Sequence, residues 1–236
     1  MRTHANLLFM STGADQHSTC SAGYSLFRSN VLILGAGGIS LAYLHLLSPF
    51  QCTVQLVRRN ASEALDVPAN TDLSRVSVHA FAELDSLLPK ADVVFLACAL
   101  TEETRGLLDQ RRLALLPPHA IVVNVGRGGL IVTDALVDAL RTGQLRGAGL
   151  DVTDPEPLPD THPLWSLVVE PRGETDGYEA ELARGRANVI ITPHTADTKA
   201  MVRPLLAQRT AANARALYAR SGAFEGLIRI DGDHVY

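Results

Sequence analysis

The chain has 236 residues, of which 47% are hydrophobic and 19% are charged, a composition typical of a globular protein with a sizeable core. The formal net charge is −4 and no run of lysine or arginine forms a basic stripe, so we expect no nucleic-acid partner. No apolar run approaches the roughly 20 residues that a membrane-spanning helix requires, so we expect no membrane segment.

Strand-like and helix-like segments alternate along most of the chain. Short runs rich in Val, Ile, Leu and Phe are typical of strands buried in a parallel sheet. We predict strands at Val31–Leu34, Cys52–Val57, Val76–His79, Asp92–Cys98, Ala120–Val125, Gly147–Val152 and Val189–Ile191. We predict helices at Gly38–Leu47, Phe81–Leu88, Thr133–Arg141 and Ala200–Arg220. This order predicts a Rossmann-like α/β fold, a doubly wound parallel sheet with helices on both faces.

Local capping signals set the ends of the predicted helix at Thr133–Arg141. Thr133 or Asp134 is expected to be its N-cap, because short polar side chains accept hydrogen bonds from the first free N–H groups of a helix. Gly143 follows the helix and suits the left-handed conformation that often ends one.

The three cysteines, Cys20, Cys52 and Cys98, are odd in number and far apart in the sequence. Cys52 and Cys98 lie in apolar, strand-like segments, which is typical of buried thiols and not of a disulfide framework. Free thiols fit a reducing compartment, and the apolar patch near the N-terminus is too short for a secretory signal. We therefore expect a cytoplasmic protein.

The first predicted strand runs into a cluster of glycines in the stretch VLILGAGGIS. Gly35 permits a tight turn, Gly37 lets the backbone approach a pyrophosphate, and Ser40 stands where a third small residue packs the helix against the strand. The N–H groups of Gly38 and Ile39 at the helix start can bind a phosphate. A glycine turn between a strand and a helix can also be purely structural, so the motif alone leaves both interpretations open.

The end of the second predicted strand carries two arginines, Arg58 and Arg59, in the stretch QLVRRN. An acidic residue there would bond the ribose 2′-hydroxyl of NAD, whereas guanidinium groups pair with a 2′-phosphate or stack on the adenine. This favours NADP(H) over NAD(H) as the cofactor. The alternative is that both arginines belong to a solvated strand end.

Three further stretches place candidate catalytic residues after predicted strands. Arg127 lies among glycines, Asp151 and Glu156 lie in a proline-rich segment, and His194 follows the last predicted strand. Taken one at a time, each residue also has a purely structural interpretation: Arg127 as a turn arginine, Glu156 as a loop carboxylate and His194 as a capped loop histidine. Open parallel sheets bind ligands at the carboxyl ends of their strands, so together the residues indicate one site.

These stretches also carry a family resemblance, which runs from Val31 to the C-terminus. The motifs LTEETRGLL, NVGRGG, LDVTDPEPLP, HPLW and TPHTA occur in this order. The chain resembles the D-isomer-specific 2-hydroxyacid dehydrogenases, in particular their NADPH-preferring glyoxylate/hydroxypyruvate reductase-like members. The resemblance implies an oxidoreductase that transfers a hydride between a nicotinamide cofactor and a small 2-keto or 2-hydroxy acid.

The resemblance also implies a role for each matching residue. Arg127 would bind the substrate carboxylate and keto oxygen, and His194 would be the general acid for the carbonyl oxygen. Glu156 would hydrogen-bond His194, orient its ring and favour its protonated form. Asp151 would lie near the nicotinamide carboxamide and Thr104 near the adenosine side of the cofactor. The chemistry needs no metal, and we predict none.

The domain organisation departs from the family pattern at the N-terminus, where family members carry a substrate domain. Residues 1–30 are expected to be a remnant of that domain or a disordered tail; FMSTGADQ at Phe9–Gln16 resembles a substrate-binding loop. Residues 31–200 are predicted to form the dinucleotide-binding domain, with a surface insertion at about 168–187 that lengthens the interval before His194. Residues 201–236 are predicted to form a C-terminal helix and tail.

Three functional hypotheses follow from the motifs and this departure. The first is an active NAD(P)H-dependent 2-ketoacid reductase. The second is a truncated protein that binds the cofactor with little or no turnover. The third is a nucleotide-sensing binding module like the corepressors that share the fold. By resemblance, a homodimer would form through the nucleotide-binding domains.

Overall fold

The computed structural model describes residues 25–67, 70–167, 188–196, 199–219, 230–231 and 234–235. The chain forms two compact units, Met1–Ile191 and Thr192–Tyr236. The predictions for residues up to 24, which include Cys20 and Phe9–Gln16, and for the insertion at 168–187 lie outside the described residues.

The first unit is built on a seven-stranded sheet in which every neighbouring pair of strands is parallel. The strands, β1 to β7, are Asn30–Leu34, Thr53–Val57, Val76–His79, Val93–Leu96, Ile121–Asn124, Gly147–Leu150 and Asn188–Ile191. Each predicted strand is present, and several begin or end one or two residues inside the predicted range. The predicted Rossmann-like fold is confirmed.

The order of the strands across the sheet is β3-β2-β1-β4-β5-β6-β7. From β1 the strands β2 and β3 follow on one side. The chain then crosses to β4 on the other side of β1, and β5, β6 and β7 follow in that direction. All seven strands end at the same edge of the sheet, which we call the carboxyl edge. In a doubly wound sheet the crevice for a ligand opens at this edge, where the order reverses between β1 and β4.

Short helices connect the strands of the first unit. Among the residues described for this unit, they are α1 to α4, at Gly38–Leu47, Leu84–Leu87, Gln110–Leu113 and Thr133–Arg141. The predicted bounds of α1 and α4 are confirmed, whereas the helix predicted at Phe81–Leu88 is the four-residue α2 with a 3₁₀ turn on each side. The helix α3 was not predicted, although Asp109 caps it by accepting a hydrogen bond from the Arg112 N–H at 2.8 Å.

The N-cap predicted for α4 is wrong. Val132 occupies the N-cap position without a side-chain hydrogen bond, and Thr133 is the first helical residue. The Thr133 hydroxyl donates instead to the carbonyl oxygen of Asp154, at 2.7 Å. The Thr133 side chain, predicted to cap the helix, therefore makes a tertiary hydrogen bond instead. Gly143, as expected, follows the helix with a positive φ of 71°.

Two apolar layers cover the faces of the sheet. Alternate residues of β1 point to opposite sides: Val31 and Ile33 belong to the layer that contains α1, and Leu32 and Leu34 to the layer that contains α2 and α4. All four side chains are buried. This explains why β1 is a continuous apolar run and not an alternating one.

The second unit contains a long helix, α5, at Lys199–Tyr218, close to the predicted range. Pro204 lies inside α5, where it removes one backbone hydrogen bond. Two short antiparallel strands, β8 and β9, follow at Ile230–Asp231 and His234–Val235. Among the described residues, no helix has the length and hydropathy to span a membrane.

Candidate functional site

The glycine turn after β1 is shaped by close packing. Gly35 has a φ of +106°, and a Cβ atom there would lie 2.8 Å from the Cα atom of Cys98, so only glycine fits. The Gly35 N–H donates to the Val57 carbonyl at 2.8 Å, which fixes the turn to the end of β2. Gly35 thus brings the loops after β1, β2 and β4 together at the carboxyl edge.

The amino end of α1 is open. A Cβ atom on Gly37 or Gly38 would meet no heavy atom of the described residues within 4 Å, and Ile39 is 58% exposed. Gly37 is the N-cap without a side-chain hydrogen bond, and the first turn carries no acidic residue. Within the described part of the chain, the first N–H groups of α1 and the positive end of its dipole are therefore accessible to a phosphate of a dinucleotide.

Ser40, at the position of the third small residue, is fully buried. Its size suits the close approach of α1 to the sheet. The Ser40 hydroxyl has no hydrogen-bond partner among the described residues. A buried unpaired hydroxyl costs about 1–3 kcal/mol, so serine is tolerated here for its volume and not for a hydrogen bond within the described structure.

The two arginines after β2 each pair with a carboxylate that the sequence analysis did not identify. Arg58 donates from Nη2 to Glu63 Oε2 at 2.6 Å, and Arg59 donates from Nη2 to Glu103 Oε2 at 3.4 Å. The backbone N–H of Arg58 donates to the His79 carbonyl at 2.9 Å. Since Val57 lies beside Leu34 in the sheet, both arginines follow β2 next to the glycine turn.

Thr104 lies in the loop after β4 and is buried. Its hydroxyl donates to the Ala99 carbonyl at 2.7 Å and accepts from the Thr101 N–H at 2.8 Å. The side chain thus closes the loop on itself. The contact with the adenosine side of a cofactor stays a prediction.

Arg127 lies exposed in the loop after β5, and its Nη1 donates to the Gly126 carbonyl at 2.7 Å. Asn124, the last residue of β5, is almost fully buried and fixes this loop from within. The Asn124 amide donates to the Arg127 carbonyl at 2.9 Å and accepts from the Gly126 N–H at 3.0 Å. Sequence reasoning missed Asn124, although a polar residue that ends an apolar strand before a glycine is a signal for such a turn.

The loop after β5 packs directly on the loop after β6. A Cβ atom on Gly128 would lie 2.0 Å from the Thr153 carbonyl oxygen. The N–H of the buried Asp151 donates to the Asn124 carbonyl at 3.0 Å. Together with the hydrogen bond from Thr133 to Asp154, these contacts hold the loop of Arg127 against the loop that carries Asp151 and Glu156.

Glu156 is exposed in the proline-rich loop after β6. The buried side chains of Leu158, Leu164 and Leu167 attach this loop to the core. The Trp165 indole N–H donates to the Pro159 carbonyl at 2.8 Å. The part of the loop that follows Glu156 is thus anchored to the core, while Glu156 itself is exposed.

His194 belongs to the second unit, shortly after the end of β7. Its side chain is exposed, and its backbone has a φ of 53° with its N–H donating to the Thr192 carbonyl at 2.9 Å. Positive φ is uncommon outside glycine, and histidine is among the residues that adopt it more readily. The structure brings the loops of Arg127 and Glu156 together within the first unit, and the role of His194 beside them stays a prediction.

Neither described cysteine is a reactive thiol. Cys52 is buried and Cys98 is half-buried, and both are free. Burial raises the pKa of the Cys98 thiol to about 11 and also raises the pKa of Cys52. Both thiols therefore stay protonated at neutral pH. Among the described residues, no group of three His, Cys, Asp or Glu side chains is arranged to hold a metal ion.

The parallel sheet, the open amino end of α1 and the polar loops at the carboxyl edge define a Rossmann-like α/β domain. Residues 8–196 match the family model of the D-isomer specific 2-hydroxyacid dehydrogenase, NAD binding domain. The chain belongs to this family, as the sequence motifs predicted.

Two curated relatives are similar to the chain over most of its length. An uncharacterized protein of Corynebacterium melassecola is 40% identical over 186 residues, which cover 79% of this chain and 52% of the relative. The glyoxylate reductase of Pyrococcus horikoshii is 30% identical over 201 residues, 85% of this chain and 52% of the relative. The chain thus spans about half the length of the curated relatives it matches.

Solved structures show the same fold. A D-isomer specific 2-hydroxyacid dehydrogenase from Xanthobacter autotrophicus Py2, in complex with NADPH and MES, superposes with a TM-score of 0.67 at 29% identity. The match covers 88% of this chain and 73% of that one. A family member from Aeromonas salmonicida gives a TM-score of 0.67 at 31% identity, over 88% of this chain and 57% of that one.

Proposed function

We propose that the protein is an oxidoreductase that transfers a hydride between NADP(H) and a small 2-keto or 2-hydroxy acid of the glyoxylate/hydroxypyruvate type. The observation that carries the proposal is the junction of the loops after β5 and β6. It holds the cation of Arg127 beside the loop of Glu156, at the same edge of the sheet as the open amino end of α1. A cation, a proton donor and a dinucleotide site are what reduction of a 2-keto acid requires.

The proposed mechanism divides the work among three side chains. Arg127 binds the substrate carboxylate and the carbonyl oxygen through paired N–H donors, which orients the substrate and polarises its carbonyl. His194 donates a proton to the carbonyl oxygen during reduction and takes it back during oxidation. Glu156 orients the His194 ring. When bound, the nicotinamide supplies or accepts the hydride.

In the proposed cofactor site, Gly35, Gly37, Gly38 and Ile39 hold the pyrophosphate at the start of α1. Asp151 lies on the nicotinamide carboxamide side and Thr104 on the adenosine side. Arg58 and Arg59 select the 2′-phosphate of NADP(H) over the hydroxyl of NAD(H). The NADPH bound to the relative from Xanthobacter autotrophicus supports this choice.

The assembly that we propose is a cytoplasmic homodimer formed through the nucleotide-binding domains, a proposal supported by the family resemblance. Sedimentation velocity at several protein concentrations tests the stoichiometry. A single species of twice the chain mass of 25.3 kDa is the expected result, and a monomer at all concentrations contradicts it.

Steady-state oxidation of NADPH in the presence of glyoxylate or hydroxypyruvate tests the reaction. His194→Ala is expected to lower kcat by about two to four orders of magnitude, because the proton donor is lost, while the Kd of NADPH changes less than about twofold. Arg127→Ala is expected to raise KM for the 2-keto acid. Tight NADPH binding by the wild-type protein without turnover of any 2-keto acid contradicts the proposal and favours a cofactor-binding protein.

A further inference from the structure

The salt bridge between Arg58 and Glu63 bears on which cofactor the protein binds. The Arg58 side chain is only 16% exposed, and two of its donors point to one residue: Nη2 to Glu63 Oε2 at 2.6 Å and Nη1 to the Glu63 carbonyl oxygen at 3.3 Å. A guanidinium has five N–H groups. Two of these N–H groups therefore bind Glu63, although the same guanidinium is proposed to bind the 2′-phosphate.

A compact turn places Glu63 at Arg58. The Glu63 backbone N–H donates to the Asn60 carbonyl oxygen with an N···O distance of 3.4 Å, and the Ser62 hydroxyl donates to the Asn60 side-chain oxygen at 2.8 Å. This turn reverses the chain after Arg59, so both the carbonyl and the carboxylate of Glu63 meet the guanidinium. The ion pair is thus part of the local chain geometry.

The neighbouring pair of Arg59 and Glu103 is looser. The distance between Arg59 Nη2 and Glu103 Oε2 is 3.4 Å, and the side chains are 43% and 67% exposed. An exposed pair of this kind is screened by solvent and contributes little. The two pairs have the same chemistry but different packing, which makes Glu103 a matched control for Glu63.

We propose that Glu63 is a specificity-determining residue that lowers the affinity for the 2′-phosphorylated cofactor. Its carboxylate occupies donors of Arg58 and repels a phosphate that approaches the same guanidinium. A 2′-hydroxyl carries no charge, so binding of the unphosphorylated cofactor is affected far less. Glu63 thus reduces the difference in binding affinity between NADP(H) and NAD(H). This inference rests on the proposed role of Arg58 in the cofactor site.

The test is a fluorescence titration of the full chain with NADPH and with NADH, for the wild type, Glu63→Gln, Glu103→Gln and Arg58→Gln. Glutamine keeps the length of glutamate and removes its charge. Glu63→Gln is expected to lower the Kd of NADPH by about three- to tenfold and to change the Kd of NADH by less than about twofold. Glu103→Gln is expected to change both by less than about twofold. Competition by adenosine 2′,5′-bisphosphate against ADP gives the same comparison without the nicotinamide.

The possible outcomes separate this inference from the cofactor proposal. If Arg58→Gln weakens NADPH binding but Glu63→Gln leaves the ratio of the two Kd values unchanged, the inference on Glu63 is wrong and the proposed NADP(H) site stands. If neither variant alters the ratio, both are wrong. If the wild type binds NADH more tightly and Glu63→Gln moves the ratio towards NADPH, the inference stands and the proposed preference fails. An equal gain in Glu103→Gln contradicts a specific role of Glu63.

Discussion

At the scale of single residues, Gly128 determines how the two candidate catalytic loops meet. Its Cα atom lies so close to the loop after β6 that a Cβ atom would sit 2.0 Å from the Thr153 carbonyl oxygen. Backbone atoms cannot yield to such a clash as the end of a flexible side chain can. Any larger residue at position 128 must therefore push the loop of Arg127 away from the loop of Glu156.

We expect Gly128→Ala to lower the free energy of unfolding by about 3 kcal/mol and to raise KM for the 2-keto acid, because the loops separate. Urea denaturation and steady-state kinetics measure the two effects. Gly149→Ala in β6 is the control, since its Cβ atom would lie 3.8 Å from the nearest Val123 methyl groups, an ordinary contact. Equal stability of the two variants would contradict the packing argument.

Replacement of Ser40, in contrast, is expected to stabilise the protein. The buried hydroxyl of Ser40 has no partner among the described residues, so Ser40→Ala removes an unpaired polar atom without leaving a large cavity. We expect the free energy of unfolding to rise by about 1 kcal/mol, as measured by urea denaturation. A decrease of similar size would mean that the hydroxyl is paired in the folded protein.

At the scale of elements, hydrophobic pattern and burial agree along the central strands and only in part along the helices. The strand β1 could be predicted because its apolar run is buried throughout. The bounds of α1 could be predicted from helical spacing, although Ile39 and Leu46 of that helix are exposed. The four-residue α3 was missed because so short a helix shows no periodicity, and the α4 cap was wrong because Thr133 bonds across to Asp154. Glu63 was missed because a turn, not a pattern, brings it to Arg58.

The helix α4 should depend on its buried face. Leu140 is fully buried in the layer that α4 forms on the sheet. We expect Leu140→Ala to lower the free energy of unfolding by about 3 kcal/mol through lost apolar burial and the cavity left behind. Urea denaturation with an unchanged m-value tests this. A loss below about 1 kcal/mol would show that this layer does not pack as described.

The contact between α2 and α3 should depend on pH. Asp85 accepts hydrogen bonds from Arg111 at 2.6 Å and from Arg112 at 2.8 Å, and both guanidinium groups lower the pKa of its carboxyl. A carboxyl with a lowered pKa in the folded state stabilises the protein above its unfolded pKa of about 4, and this contribution is lost as the pH falls through the folded pKa.

We therefore expect Asp85→Asn to be less stable than the wild type at pH 7 and equally stable once the pH is well below the folded pKa of Asp85. Thermal unfolding between pH 7 and acid pH measures the difference, with Asp160→Asn in an exposed loop as a control. A stability gap between Asp85→Asn and the wild type that does not close towards acid pH would contradict the assigned ion pairs.

At the scale of the whole molecule, the Rossmann-like fold could be predicted from the alternation of strands and helices, and the family from five short motifs. Arg127 and Glu156 stay predicted site residues, and the structure joins their loops through Gly128 and Asp151. Those joining contacts could not be predicted, because they depend on backbone approach between distant loops. His194 was predicted as a site residue from its motif, lies in the second unit, and its role stays a prediction.

The most direct test of the proposed hydride transfer uses NADPH that carries deuterium at C4 of the nicotinamide. The protein is incubated with glyoxylate and either 4R- or 4S-labelled NADPH, and the glycolate is analysed by mass spectrometry. We predict that one of the two cofactors delivers one deuterium to the carbon that bears the new hydroxyl, and that His194→Ala forms little product. Glycolate without label from both cofactors, or no glycolate from the wild-type protein, would contradict the account.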